Sequence, residues 1–293
     1  VSADLDNKAD FHPAAQTIHP VCYNIWNFND KWEQRAQMIV SNLLQENPDF
    51  VVFQEVRYNV IDEYSFKQMG KPHRNRFQTD ELRKHFLELS DTQWQFHYEP
   101  AMSYLDRFHT DEGLAIFSKF PILECSHLLL SRDLDDTEDA HQRIILRTVL
   151  DTPIGRVNVF NTHFALTEDA RRRAVVELWD WIQQFPLPHI LMGDLNAEPD
   201  DIAIEFLVGK TELEGRTADF VDAYTLASEA EELTFPAWEP IKRIDFVLLR
   251  GFQSVSEYSL LGKTSVPNPS PVEEDKQLWS SDHFGVSCIV GIE

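Results

Sequence analysis

Cysteine is scarce in this sequence. Cys22, Cys125 and Cys288 are the whole complement, too few and too scattered for a disulfide framework or a zinc cluster. They read as buried thiols, with a bridge between Cys22 and Cys288, which lie in apolar stretches near opposite ends of the chain, as the alternative. Positive charge is scarce too. The 26 Lys and Arg stand against 49 Asp and Glu, giving a formal net charge of −23, which argues against a broadly basic surface that holds nucleic acid by counterion release but leaves a local cationic groove open. No apolar run approaches the roughly 18 residues of a membrane-spanning helix. There is no Asn-x-Ser/Thr acceptor free of proline, which argues against a glycosylated secreted chain, and no internal repeat. What is present suits a globular fold: 43% hydrophobic residues, with 20 Phe and 7 Trp in 293 residues, form a large core in one large domain or two small ones and exclude a disordered or collagen-like chain. The chain begins with Val1. That start predicts either a removed signal peptide, hence a secreted or lumenal protein, or a trimmed cytoplasmic one.

Residues 1–17 are polar, lack periodicity and read as a mobile arm ahead of a single domain at 18–293. A strand at 21–25, apolar residues at helical spacing (Ala36, Ile39, Val40, Leu43, Leu44) stopped by Asn47-Pro48, and a second strand at 49–55 predict a strand–helix–strand unit. Such a unit needs a parallel or mixed sheet with a helix on one face, hence an α/β fold. Residues 62–85 read as a surface excursion ending in a short helix near 80–89. Strands are predicted at 93–98, 113–118, 123–130, 143–150 and 156–162, with antiparallel pairing. A helix over 168–185, a strand at 189–193, a helix at 202–208 and strands at 243–249, 254–260 and 284–290 complete the pattern. The proline- and acid-rich stretch within 262–280 has the length of a binding loop or lid. The acidic run 133–139 reads as a solvated loop.

Polar groups fall at the carboxyl ends of apolar strands, where sites form: Asn24 after Val-Cys-Tyr, Glu55 after Val-Val-Phe-Gln, His163 after Val-Phe-Asn-Thr, and Asp194 with Asn196 after Ile-Leu-Met-Gly. Asp245 lies inside Arg-Ile-Asp-Phe-Val, and Asp282-His283 precedes Phe-Gly-Val. Taken singly, Asn24 reads as a turn cap, Glu55 as a partner for Arg57 and His163 as a core histidine. Gly193 reads as opening a tight turn that presents Asp194 and Asn196 together. Many carboxylates aimed at one place require a cation, and oxygen donors without a Cys/His cluster favour magnesium or manganese over zinc.

In order along the chain, CYNIWN, FQEVR, EGLAIFSKFPI, NTHF, GDLNAEP, RIDFV and SSDHFGV resemble the motifs of the endonuclease/exonuclease/phosphatase superfamily, from about residue 19 to 290. The resemblance implies a four-layer α/β sandwich, two mixed β-sheets packed face to face with helices outside. It implies a phosphoester hydrolase that uses Mg2+ or Mn2+, with Glu55 as main metal ligand assisted by Asn24 and Asp282. Asp194 would orient or deprotonate the attacking water, Asn196 would donate to a phosphoryl oxygen, and His283 would contact the phosphate with Asp245 on its other nitrogen. Glu112 would do the same for His163. The histidine at 163 resembles the deoxyribonuclease, sphingomyelinase, phosphatase and deadenylase branches and not the abasic-site repair enzymes. Nucleic acid, phospholipid and inositol phosphate all remain open as substrates, and a monomer is expected. A catalytically silent binding module with the same fold is the rival. Trp26, Trp238 and Trp279 suggest an aromatic rim, and Arg57, Arg143 and Arg243 either bind substrate phosphate or pair with the protein's own carboxylates. Arg171, Arg172 and Arg173 open a helix against its dipole, which points to anion contact or a salt bridge.

Overall fold

The central strands of this chain are apolar on both faces because both faces are covered. In β2 (Pro20–Asn24), Val21 and Tyr23 pack toward helix α1 (Trp32–Glu46), whereas Cys22 packs between sheets. In β3 (Phe50–Ile61), Val51 and Phe53 face the same helical layer, and Phe50 and Val52 face inward. This period-2 division of continuous hydrophobic runs places each sheet between a helical layer and the other sheet. The computed structural model describes residues 16–61, 74–104, 110–227, 232–268 and 277–292.

The first sheet runs β1 (Gln16–Ile18), β16 (Gly285–Ile292), β2, β3, β6 (Thr110–Ser118), β5 (Gln95–Tyr104), with β4 (Arg74–Phe77) on β3 and β13 (Ser254–Leu261) on β16. The second runs β11 (Val221–Asp222), β12 (Asp245–Arg250), β10 (His189–Asp194), β9 (Gly155–His163), β8 (Ile144–Thr152), β7 (Ile122–Leu129). A small pair, β14 (Val266–Pro267) and β15 (Gln277–Leu278), stands apart. Each large sheet holds one parallel pair, β2 with β3 and β9 with β10, and α1 and α3 (Glu168–Ile182) make the crossovers. The other pairings are antiparallel. Helices α1 and α2 (Gln78–Leu89) cover the first sheet, and α3 with α4 (Ile202–Leu207) covers the second. Short α5 (Ala223–Ala227) lies beside β12 and β13. The result is the four-layer sandwich of two mixed sheets. Helix α1 stops at Asn47, whose left-handed φ of 56° turns its N–H back to Leu43 O at 2.8 Å, ahead of Pro48.

Several expectations change. Gln16 and Thr17, placed in the arm, start β1, which runs on along the edge of β16 that β2 pairs with, Ile18 opposite Val290 and Val21 opposite Ser287; residues 1–15 lie outside the described residues. Of the excursion at 62–85, residues 74–77 form β4 and the helix begins at Gln78, with 62–73 outside the described residues. Residues 269–276 of the other long loop also lie outside them. The cysteines are free, but Cys125 is exposed, because β7 is an edge strand whose outer face lacks cover. Gly193 belongs to β10, not to a turn: a Cβ there would lie 2.1 Å from Thr162 O, so glycine is needed for close approach to β9. The acidic run is not wholly solvated, since Asp139 is buried, bonded to Arg143 at 2.8 Å and to the N–H of Leu166.

One polar bridge crosses the interior between the sheets. Gln54 donates to Asn161 Oδ1 at 2.7 Å, and Asn161 returns its amide hydrogens to the carbonyls of Phe53 and Ala115 at 3.0 and 3.2 Å. Both side chains are buried. Replacing Asn161 by Leu strands Gln54 and two carbonyls, and urea denaturation should show a loss of about 2 kcal/mol, the cost of buried groups left unpaired. His189 provides a pH test. Its Nε2 donates to Pro186 O at 2.8 Å, and burial lowers its pKa from 6.5 to about 4. The unfolded chain therefore takes up this proton first as pH falls, so His189 contributes stability that is complete above pH 6.5 and lost toward pH 4. The urea stability of the native protein relative to His189→Gln should shrink by about 2 kcal/mol between pH 7 and 4.5.

Candidate functional site

Strand register assembles the site. Parallel pairing of β9 with β10 sets His163 beside Asp194, and antiparallel pairing of β10 with β12 sets Asp245 on the other side of it. Three chemically active side chains thus stand in a row across adjacent strand ends. In the facing sheet, Asn24 ends β2 and pairs with Gln54. The next residue, Glu55, occupies a bulge where the β3–β6 register shifts between Phe53 and Val56, and its φ is 56°. Such a left-handed residue costs about 1–2 kcal/mol outside glycine. It breaks the alternation, so that Gln54 bridges the sheets while Glu55 turns to Asn24.

Asn24 joins the two halves. Its Nδ2 donates to Asp194 Oδ2 at 3.0 Å and to Glu55 Oε1 at 3.3 Å, while its Oδ1 accepts the N–H of Trp26. Expected as a metal ligand, Asn24 here offers its nitrogen to both carboxylates and spends its oxygen on the turn. Asp194 is buried; its Oδ1 accepts the N–H of Asn196, and its Oδ2 lies 3.4 Å from His163 Nε2 and 3.6 Å from His283 Nε2. His283 Nδ1 is bonded to Asp245 Oδ2 at 2.9 Å, as the resemblance implied. Asn196, with φ of 48°, gives Nδ2 to Phe164 O at 2.9 Å and keeps its second amide hydrogen.

Electrostatics separates these groups. Burial opposes the charge on His283, but the carboxylates of Asp245 and Asp194 outweigh it and raise its pKa to about 10. Burial raises Asp194 to about 7, with the charge of Asp245 adding and His283 opposing. Burial, joined by Arg143 and His283, holds His163 well below the usual histidine range, so it is neutral. Asp282 rises to about 6 through burial, against His283 and with the repulsion of Glu55.

Asp194, Asp245 and His283 bring one donor atom each within 4.8 Å of one another, the one such group of three among the described residues. We read them as a proton-holding set, because an imidazolium bonded through Nδ1 has no lone pair for a metal. Glu55 and Asp282 offer oxygen donors alone, two carboxylates that repel each other. That donor chemistry fits a hard divalent ion.

One expected residue has a different partner. Glu112 gives its carboxylate to Arg57 Nε at 2.5 Å instead of to His163, because the β3–β6 register places Arg57 directly opposite it. Arg57 is thereby occupied, as Arg143 is by Asp139 and Arg243 by Asp222. Each of the three thus pairs with one of the protein's own carboxylates, although Arg143 Nε and Arg243 Nη1 are buried without a hydrogen-bond partner, and Arg171 likewise bonds Asp201 at 2.5 Å. Glu112 and His163 still line one cleft of about 340 Å3 together with Glu55, Tyr104, Gln142 and Arg143. Trp26 and Trp238 lie with ring centroids 6.3 Å apart, and Trp238 is 55% exposed; Trp279 packs on Phe284 instead.

Sequence alone passes over several supporting residues. Asn27 donates to Glu55 Oε2 at 2.8 Å, Ser281 donates to Asn24 O at 2.7 Å, and the Thr234 hydroxyl accepts the N–H groups of Ile244 and Asp245. Asn27 and Ser281 lie inside the quoted motifs, where their amide and hydroxyl are a signal; Thr234 lies in none.

Solved structures share the architecture. An endonuclease/exonuclease/phosphatase family protein from Bacteroides thetaiotaomicron superposes with a TM-score of 0.73 at 18% identity over 95% of this chain and 99% of its own. The mannosyl-6-phosphatase of Bacteroides thetaiotaomicron VPI-5482 gives 0.68 at 18% over 92% and 98%, and truncated Caenorhabditis elegans TDP2 gives 0.63 at 16% over 94% and 98%. Protein angel of Drosophila melanogaster is 26% identical over 194 residues, 61% of this chain and 48% of the fly protein, so the match spans about half of that relative's length. The model of the Endonuclease/Exonuclease/phosphatase family matches residues 21–283. With the fold, the strand-end residues and that match in agreement, the chain belongs to the endonuclease/exonuclease/phosphatase family.

Proposed function

We propose that the protein hydrolyses phosphate esters by in-line attack of water, with Mg2+ or Mn2+ held by Glu55 and Asp282. The observation that carries this reading is the convergence of Glu55, Asp194, Asp245, Asp282 and His283 from both sheets, an acidic cluster in which His283 is the cation facing Asp194. When bound, a divalent cation neutralises charge on the phosphoryl oxygens and stabilises the leaving oxygen.

The residues divide the rest. Asp194 orients water and takes its proton at Oδ2, a role supported by a pKa raised to about 7. Asn24 keeps that carboxylate aimed by donating to Oδ2. Asp245 fixes the imidazole of His283 through Nδ1, leaving the Nε2 hydrogen to meet charge developing on a phosphoryl oxygen. Asn196 adds its free amide hydrogen, and neutral His163 flanks the same oxygens. The exposed Trp238 beside Trp26 gives the substrate an aromatic edge. The net charge of −23 weighs against duplex DNA as substrate. The mannosyl-6-phosphatase likeness favours a test that includes sugar phosphates beside DNA, RNA, phospholipids and inositol phosphates.

With bis-p-nitrophenyl phosphate and magnesium, Glu55→Ala should lower kcat/KM at least ~1,000-fold; full activity in that variant would remove Glu55 from the reaction. Asp245→Asn, which releases the imidazole and weakens its charge, should lower kcat about 100- to 1,000-fold with KM little changed. Steady-state rates against substrate concentration separate the two effects.

A further inference from the structure

Arg35 is fully buried, an unusual place for the largest of the cationic side chains. It projects from the first turn of α1, and its hydrogen bonds run to backbone carbonyls. Nε donates to Asn29 O and Asp30 O at 3.0 and 2.9 Å, Nη1 to Ile25 O and Ser280 O at 2.9 and 3.0 Å, and Nη2 to Trp26, Asn27 and Asn29 carbonyls at 3.1, 2.8 and 2.7 Å. The guanidinium also lies 5.1 Å from the ring centre of Trp26 and 5.4 Å from that of Trp32. In a protein with such an excess of carboxylates, this cation is committed to peptide oxygens.

Carbonyls converge on one point only if the backbone is wound around it. Trp26, Asn27, Asp30 and Lys31 all have positive φ, 53°, 35°, 27° and 30°, a conformation that side-chain-bearing residues adopt only when something holds them there. The fork of five N–H donors is the holder. The turn so formed carries Asn27, buried, whose Nδ2 donates to Glu55 Oε2 at 2.8 Å, and the N–H of Trp26, which fixes Asn24 Oδ1 at 3.0 Å. On its other side the same guanidinium takes the carbonyl of Ser280, just before Ser281, whose hydroxyl reaches Asn24 O, and Asp282. Arg35 therefore ties the turn that aims Glu55 to the loop that carries Asp282.

We propose that Arg35, acting through Asn27, is a positioning residue that sets where the Glu55 carboxylate stands relative to the Asp282 loop, and so determines divalent-cation affinity at the site. This rests on the reading of Glu55 and Asp282 as the cation face only in its last clause; the placement of Glu55 is a property of the chain alone. The pattern shows why lysine would not serve: one ammonium with three donors cannot span carbonyls from both sides of the turn.

The test uses the full chain, with Arg35→Lys and Asn27→Gly compared with the native protein and with Glu55→Gln. Glycine at 27 allows the left-handed backbone and removes the side-chain amide with its bond to Glu55 Oε2 and its acceptance of the Asn29 N–H. Crystal structures of the metal-free variants should show the Glu55 carboxylate displaced or in another rotamer. Mn2+ titration followed by electron paramagnetic resonance should show affinity weakened about 10- to 100-fold, as for loss of residues that orient metal ligands. Turnover should fall at low Mn2+ and recover at high Mn2+, a rescue that a general folding defect does not give. A Glu55 carboxylate unmoved in both variants, or native Mn2+ affinity in both, would overturn the proposal. Should Arg35→Lys fail to fold, Asn27→Gly decides alone. Absence of Mn2+ binding by the native protein would count against the proposed function, and the metal-free position of Glu55 would still decide the role of Arg35 and Asn27.

Discussion

The amide nitrogen of Asn24 lies between two carboxylates supplied by different sheets, Glu55 from β3 and Asp194 from β10. The rest of the site takes its dimensions from that contact. A sandwich packs its sheets about 10 Å apart through apolar side chains, and acidic groups at the rim of such an interface repel each other and lose hydration. Asn24 answers both problems at once, being neutral and able to donate twice. The Gln54–Asn161 bridge repeats the solution one step deeper, where two amides satisfy each other and two carbonyls in the dry interior. A pair of neutral donors therefore pins the sheets together at the place where charge accumulates.

The histidines show how environment assigns work to identical side chains. His283 has a buried carboxylate on one nitrogen and a second near the other, and its charge is held far above the usual range. His163 meets burial with the cations Arg143 and His283 nearby, and it is held neutral. His189 lies in the interior against carbonyls and is neutral for lack of any carboxylate that repays its desolvation. An imidazole whose cation is favoured and one whose neutral form is favoured thus flank Asp194.

Much of this is legible in the amino acids. Continuous apolar runs mark strands buried on both faces, and helical spacing over Ala36, Ile39, Val40 and Leu43 marks α1, because burial imposes those periods directly. Strand-end polar residues mark the site, since a carboxylate buried beside an apolar run must find a partner or a cation. Partner choice is less legible. Resemblance assigns Glu112 to His163, yet the register of β3 with β6 gives it to Arg57, and register depends on a bulge that no local pattern announces. Gly193 reads as a turn residue, where its actual function is to let Thr162 O approach. Arg35 falls on the apolar stripe of α1 and gives no sign that its partners are peptide carbonyls of the preceding turn and of the distant Ser280. Such contacts are set by tertiary geometry, which composition and spacing do not encode.

The position of β16 has a consequence for how the molecule is made. It inserts between β13 and the edge that β1 and β2 form together, so the sheet that presents Asn24 cannot close until this late strand has been synthesised and docked. Pairings of such large sequence separation form late and slowly. During translation the early strands must wait with an open edge. Completion of the sheet beside the acidic centre therefore waits on β16, which keeps the early strands from assembling the centre ahead of the rest of the fold.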